Sequence, residues 1–194
     1  ARSNFAEAIH ELYHDLVVFG TGVLFVEQDP NVGGGVRYSA RHIAECFVSE
    51  DDYGRVDTVM RKFQLPVRAA AQRFGLDNLP QRMVSAYERD PYEMVTIVHA
   101  VMPRDERDTY KVGAENKPWA SCYVDPEERV LLAERGFDEM PYMVPRWLKA
   151  SFEIGYGRSP AMESLPDIKM LNKMSEVTIR AAQKQVDPPL MLPD

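Results

Sequence analysis

Cysteine is nearly absent from this 194-residue chain. Cys46 and Cys122 are too few and too far apart for a disulfide framework or a zinc site of the CxxC kind, so a reducing compartment is expected. No stretch approaches the roughly 18 apolar residues of a membrane span, and the opening ARSNFAEAIHELYHD lacks the charged-then-apolar plan of a signal peptide. A soluble protein is the expectation. Positive charge is in deficit: 23 Lys+Arg face 30 Asp+Glu, a net charge of −7. That balance excludes a free-standing protein held on nucleic acid by bulk positive charge, though a local basic stripe remains compatible with it. Also missing are a G-x-S-x-G elbow, an internal repeat and a low-complexity tract. Gly33-Gly34-Gly35 is followed by no Lys-Ser or Lys-Thr and reads as a hairpin turn, not a phosphate loop. Glu50-Asp51-Asp52 lacks the alternating oxygen ligands and distal Glu of a calcium loop and reads as a solvated turn. Neither cysteine carries the local signature of a nucleophile, and both are expected in a strand core or at its edge.

What is present is an ordinary apolar fraction, 45% of the residues, enough to fill a packed core. Phe5, Ile9, Leu12 and Leu16 recur at spacings of four, three and four, with Glu7, Glu11 and Asp15 elsewhere on the wheel. This predicts an amphipathic helix over 4–18, capped by Ser3 or Asn4. Gly20-Thr21-Gly22 breaks it, and VLFVEQ (23–28) has the β-branched and aromatic density of a buried strand. Asp29-Pro30-Asn31 and the triple glycine then turn the chain into 36–39, a hairpin. IAECFVSE and RVDTVMRKFQ flank Asp51-Asp52-Tyr53-Gly54 as a second hairpin.

Helices are predicted over 66–75 and 79–89, with Pro66 and Pro80 near their starts and Gly75 ending the first. Strand signals return in YEMVTIVHAVM, WASCYV and RVLLAERGF, separated by polar loops; the longest, 103–118, is expected to be mobile. Residues 138–158 hold too much Pro and Gly for one regular element. Ser159-Pro160 opens a helix that Pro166 should kink, after which 167–186 runs unbroken until Asp187-Pro188-Pro189. Helix, hairpins, two short helices, strands and a long final helix together predict an α+β fold rather than an alternating parallel sheet. Three regions are expected, 1–90, 91–150 and 151–194.

Two patterns bear on chemistry. His10-Glu11-Leu12-Tyr13-His14 satisfies H-E-x-x-H on a helix, where two His one turn apart can ligate zinc while the Glu polarises a bound water. The pattern lacks the metzincin extension, because Val17 and Gly20 stand where Gly and His would be needed. A third ligand would have to be His42 or Glu45, and His10 and His14 sit at the polar margin of the helix. A zinc-dependent hydrolase is therefore the alternative reading, and the leading one has no metal and no cofactor. On the last helix Lys169, Lys173, Arg180 and Lys184 fall within about 60° of one another at 100° per residue. Glu176 lies inside that stripe. Leu165, Ile168, Leu171, Ile179, Ala182 and Val186 occupy the other side, so one face is expected to pack and the other to meet water or a polyanion without reading sequence.

Several phrases in order along the chain resemble the head-to-tail connecting, or portal, proteins of short-tailed bacteriophages and prophages. They are DLVVFGTGVLFVEQD (15–29), DYGRVDTVMRKF (52–63), HAVMPR (99–104), LAERGFDEMPYMVPRW (132–147), YGRSPAMESLPDIKMLNKM (156–174) and DPPL (187–190). The segment 156–174 carries the resemblance most strongly. Portal subunits are considerably longer, so the resemblance implies an internal piece, in keeping with the absent initiator Met. It further implies a ring of twelve copies at one capsid vertex, a conduit for double-stranded DNA and not an enzyme. Its partners would be other copies of itself, DNA, the terminase, a tail adaptor and capsid proteins, with no membrane. The place of action would be the virion, and the bacterial cytoplasm during assembly. In those terms 159–186 would be a stem-type helix, with Lys169, Lys173, Arg180 and Lys184 as channel-facing candidates. The strands between 90 and 147 would then include clip or wing structure.

Overall fold

The computed structural model of the chain describes residues 3–29, 35–149 and 155–186. It is α+β, with two antiparallel sheets and four α-helices among those residues.

The first helix, α1, spans Phe5–Phe19 and closes on Gly20, whose φ of 75° is left-handed and whose N–H reaches the Leu16 carbonyl at 3.0 Å. Its buried side is Ala8, Leu12 and Asp15, with Leu12 and Ala8 clustered on Leu24. Asp15 thus departs from the expectation of a polar wheel position: the helix is covered on that flank and the carboxylate goes under with it. Of the two cap candidates, Ser3 accepts from the Phe5 N–H at 3.2 Å. The Asn4 side chain turns away to the backbone of Tyr38.

Strands β1 (Val23–Asp29) and β2 (Gly35–Arg41) form the first hairpin, in register from Val23 opposite Arg41 to Asp29 opposite Gly35. Its turn, which includes Gly33 and Gly34, lies outside the described residues. The second hairpin joins β3 (Cys46–Glu50) to β4 (Val56–Pro66). Asp51 organises its turn, accepting from the N–H groups of Tyr53 at 2.9 Å and Arg55 at 2.8 Å. IAE, read as the start of a strand, is instead a short 3-10 turn at Ile43–Glu45. Helices α2 (Val67–Phe74) and α3 (Gln81–Arg89) follow, with Pro66 and Pro80 in their N-cap positions. The chain then returns through β5 (Met94–Pro103), β6 (Trp119–Asp125) and β7 (Val130–Phe137).

These strands make one five-stranded sheet in the order β3-β4-β5-β6-β7, so pairing of β4 with β5 crosses residue 90. A two-residue strand, β8 (Tyr142–Met143), adds to the free side of β1 and gives the second sheet the order β2-β1-β8. Nothing in the Pro-rich run around it forecasts β8, because two residues carry no periodicity.

Side chains alternate across a strand, so partners in register share a face. On the five-stranded sheet Phe63 and Ile97 pack with Val67, Ala70, Phe74 and Met83 under α2 and α3. Val59 and Val101, further along the same face, pack with Val23, Phe25 and Tyr142 of the smaller sheet. One face therefore carries two cores side by side. Phe47 and Met60, register partners on the opposite face, are exposed.

The last helix, α4, spans Pro160–Val186, about 40 Å at ~1.5 Å per residue, and passes through Pro166. Ser159 caps it, accepting from the Met162 N–H at 2.9 Å while donating to the Val18 carbonyl at 2.8 Å. Asp187-Pro188-Pro189, expected to stop it, lies outside the described residues.

Candidate functional site

The root of α4 is built by backbone meeting backbone. Trp147 N–H donates to Gly20 O at 2.9 Å, Gly22 N–H to Pro145 O at 3.1 Å, and Arg158 N–H to Leu148 O at 2.7 Å. Gly157 N–H completes the crossing at the Thr21 hydroxyl, 2.8 Å away. Such close approach demands glycine: a Cβ on Gly20 would lie 2.4 Å from the Arg158 carbonyl carbon, and one on Gly157 would lie 2.7 Å from Gly20 O. A buried charge cluster holds the neighbouring segment. Glu50, with its side chain 7% exposed, pairs with Arg146 and, at 2.5 Å, with Lys149. Arg146 also donates to Gly54 O at 3.1 Å. Glu50 is thus no part of a solvated acidic turn; the returning chain covers it and supplies its cations.

From this root α4 runs with no buried residue, and among the described elements it packs chiefly on α1. Leu165, Ile168, Leu171, Ile179 and Val186, expected to face a core, are exposed, as are Met174 and Val177. The basic stripe is present but partly offset: Glu176 accepts from Lys173 at 2.9 Å and from Arg180 at 2.6 Å. Lys169 and Lys184 flank that triad along the stripe.

His10, Glu11 and His14 are exposed on α1 and line an open pocket with Asp15, Ala40 and His42. Thus one of the two proposed third ligands, His42, does line the same pocket as the motif. Its Nδ1, however, accepts from the Ala44 N–H at 3.2 Å and its ring lies edge-on to Phe19 at 5.1 Å. Glu45 points to Arg61 instead, at 2.8 Å. Among the described residues no three His, Cys, Asp or Glu side chains are placed to hold a metal ion. The hydrolase alternative gains no ligand set from the fold.

Sequence reasoning gave His99 no role beyond its place in the phrase HAVMPR. It is 3% exposed at the centre of β5, with Nδ1 3.0 Å from the Tyr142 hydroxyl and Nε2 2.9 Å from Ser121 Oγ. Burial, then Arg73, Arg61 and Arg41, push its pKa down to about 3, so the ring is neutral. Burial likewise raises the Cys46 thiol to about 11, an inert thiol in the strand core as expected. A lone His in an alternating strand carries no mark of its partners, since Ser121 and Tyr142 come from β6 and β8.

A family model for the bacteriophage head to tail connecting protein matches residues 1–194. The chain belongs to this head-to-tail connecting family. Among its curated relatives are a "Probable portal protein" of Bordetella phage BPP-1, 34% identical over 196 residues, and a "Portal protein" of Salmonella phage epsilon15, 32% identical over 196 residues. The matches cover 100% and 99% of this chain but 35% of each relative. The connector phrases recognised in the sequence fall on its structural joints. LAERGFDEMPYMVPRW runs from β7 through β8 to Trp147, and YGRSPAMESLPDIKMLNKM supplies the root and the first half of α4. Among the described residues no helix is long and apolar enough to cross a membrane.

Proposed function

We propose that this connector chain is part of a portal subunit that closes with its copies, twelve by the family resemblance, into a ring at one capsid vertex. Double-stranded DNA would pass through the ring during packaging and ejection, without sequence readout. The terminase, a tail adaptor and capsid proteins would dock on the ring, in the virion and earlier in the host cytoplasm. In this reading the chain is scaffold and conduit, not catalyst. α4 is a stem-type helix, and the strands of 91–147 contribute wing or clip structure.

The observation that carries the reading is α4 itself. A 27-residue helix with no buried residue and with Leu165, Ile168, Leu171 and Ile179 exposed has an apolar face that the other described residues leave uncovered. Neighbouring subunits are the covering a ring provides, and a cyclic ring needs two different patches on each subunit. The acidic balance suits a conduit, since tight phosphate neutralisation would drag on sliding DNA.

The test is the mass in solution, by light scattering, of a portal-length protein carrying this chain, followed by negative-stain imaging. Rings with a central hole are expected. A protein that stays monomeric at high concentration overturns the proposal.

A further inference from the structure

The two cores that share one face of the five-stranded sheet are separated by a polar row. Across β4, β5 and β6 that row reads Arg61, His99 and Tyr123 in register. Two more guanidinium groups reach it from the layers above. Arg73 comes from α2, its guanidinium carbon 4.6 Å from the Tyr123 ring centre and one nitrogen 2.5 Å from the Tyr123 hydroxyl. Arg41 comes from β2, 5.8 Å from the centre of Phe25. Phe25 in turn meets His99 edge-on at 5.6 Å, and His99 stacks on Tyr123 at 4.1 Å with the rings 4° from parallel. Arg61 lies 4.2 Å over Phe63. Three arginines from three elements thus surround one aromatic stack.

Nearby carboxylates offset these charges only in part. Glu45 takes Arg61, and Glu27 acts on Arg41. The Arg73 hydrogen bond goes to an uncharged hydroxyl, and Arg135 adds a further positive charge near Tyr123. Arg41 Nε is buried with no hydrogen-bond partner among the described residues. Burial and the neighbouring Arg61 push the Arg41 pKa down, so the site disfavours a bare cation and would be relieved by an anion. In a chain of net charge −7 this is a local excess of the opposite sign. The His99 nitrogens are both engaged, leaving the imidazole as a flat floor and not a donor.

We propose that this row is an oxyanion site, at which Arg41, Arg61 and Arg73 hold one phosphate-class ion against the Tyr123–His99 stack. Guanidinium forks match the oxygens of such an ion, and of the three arginines Arg73 is exposed to solvent. The site is separate from α4 and does not depend on the ring reading.

Inorganic phosphate tests it directly, in thermal unfolding of the chain against sodium chloride of equal ionic strength. For a Kd on the order of 1 mM, phosphate at about 10 mM should raise the midpoint by about 3–6 °C. Arg73→Met should abolish that rise, as should Arg41→Met. Arg73 is exposed, so its variant keeps the test open if loss of Arg41 impairs folding. A short DNA duplex added in a second arm distinguishes sources. Competition with phosphate assigns the site to backbone phosphates, and no competition assigns it to a free ion. A rise no larger than that in chloride, or the same rise in Arg73→Met, overturns the proposal and leaves the arginines a packing role.

Discussion

The side-chain amide of Asn4 exchanges two hydrogen bonds with the backbone of Tyr38, donating to its carbonyl at 2.7 Å and accepting from its N–H at 3.0 Å. β2 is an edge strand, and an unpaired edge is a template for another chain. Asn4 occupies the position where another strand would bind. The aromatic ring of Phe5 reinforces the contact from 5.0 Å on the Tyr38 ring.

Replacing Asn4 by Ala should therefore cost about 1–2 kcal/mol, the usual loss for two neutral hydrogen bonds. It should also raise aggregation at constant concentration, because the β2 edge is uncovered. Urea unfolding and light scattering read the two effects. Asn4→Asp retains the acceptor but opposes a carboxylate to the Tyr38 carbonyl, so it should behave no better than Ala.

Glu50 and its cations predict a larger effect. Glu50→Ala leaves the Arg146 and Lys149 side chains, 16% and 26% exposed, without their carboxylate. The expected loss is about 3 kcal/mol, in the range for a broken buried pair. The double variant Glu50→Met with Arg146→Met should be milder than the single one, and a double-mutant cycle in urea measures the coupling.

His99 makes stability depend on pH in a known direction. Its folded pKa, about 3, lies below the ordinary value of 6.5, so between those limits the unfolded chain binds the extra proton. Its contribution is fully present above pH 6.5 and is lost as pH falls towards the folded value, at up to about 1.4 kcal/mol per pH unit. The interval from 6.5 to 5 is the informative one, since most carboxylates titrate lower. Urea midpoints over that interval should slope for the native chain and flatten for His99→Gln.

Charge reversal on α4 separates a channel role from a structural one. Lys169→Glu with Lys173→Glu should leave the unfolding midpoint of the chain nearly unchanged, because both side chains are solvent-facing. In phage the same pair should reduce the DNA packaged per capsid. Normal packaging would place those lysines away from the DNA path. Reversing Lys173 also sets a like charge beside Glu176, a cost of a few tenths of a kcal/mol.

Periodicity and turn chemistry alone determined most of the local architecture, because both act over a few residues. The apolar spacing of α1, the dense β-branched run of β1, Asp51 and Gly54 in the β3–β4 turn, and the prolines at α2 and α3 all carry their own signals. The order of these elements was enough for the α+β class, and the ordered connector phrases were enough for the family. What no spacing could announce was the pairing of distant residues. β8 exists because β1 offers it a partner, Asp15 and Glu50 are buried because other segments cover them, and His99 is neutral because Ser121 and Tyr142 close on it from separate strands. The exposed apolar face of α4 is the same lesson in reverse: an amphipathic pattern specifies that a face should be covered, and only the tertiary structure decides whether this chain covers it.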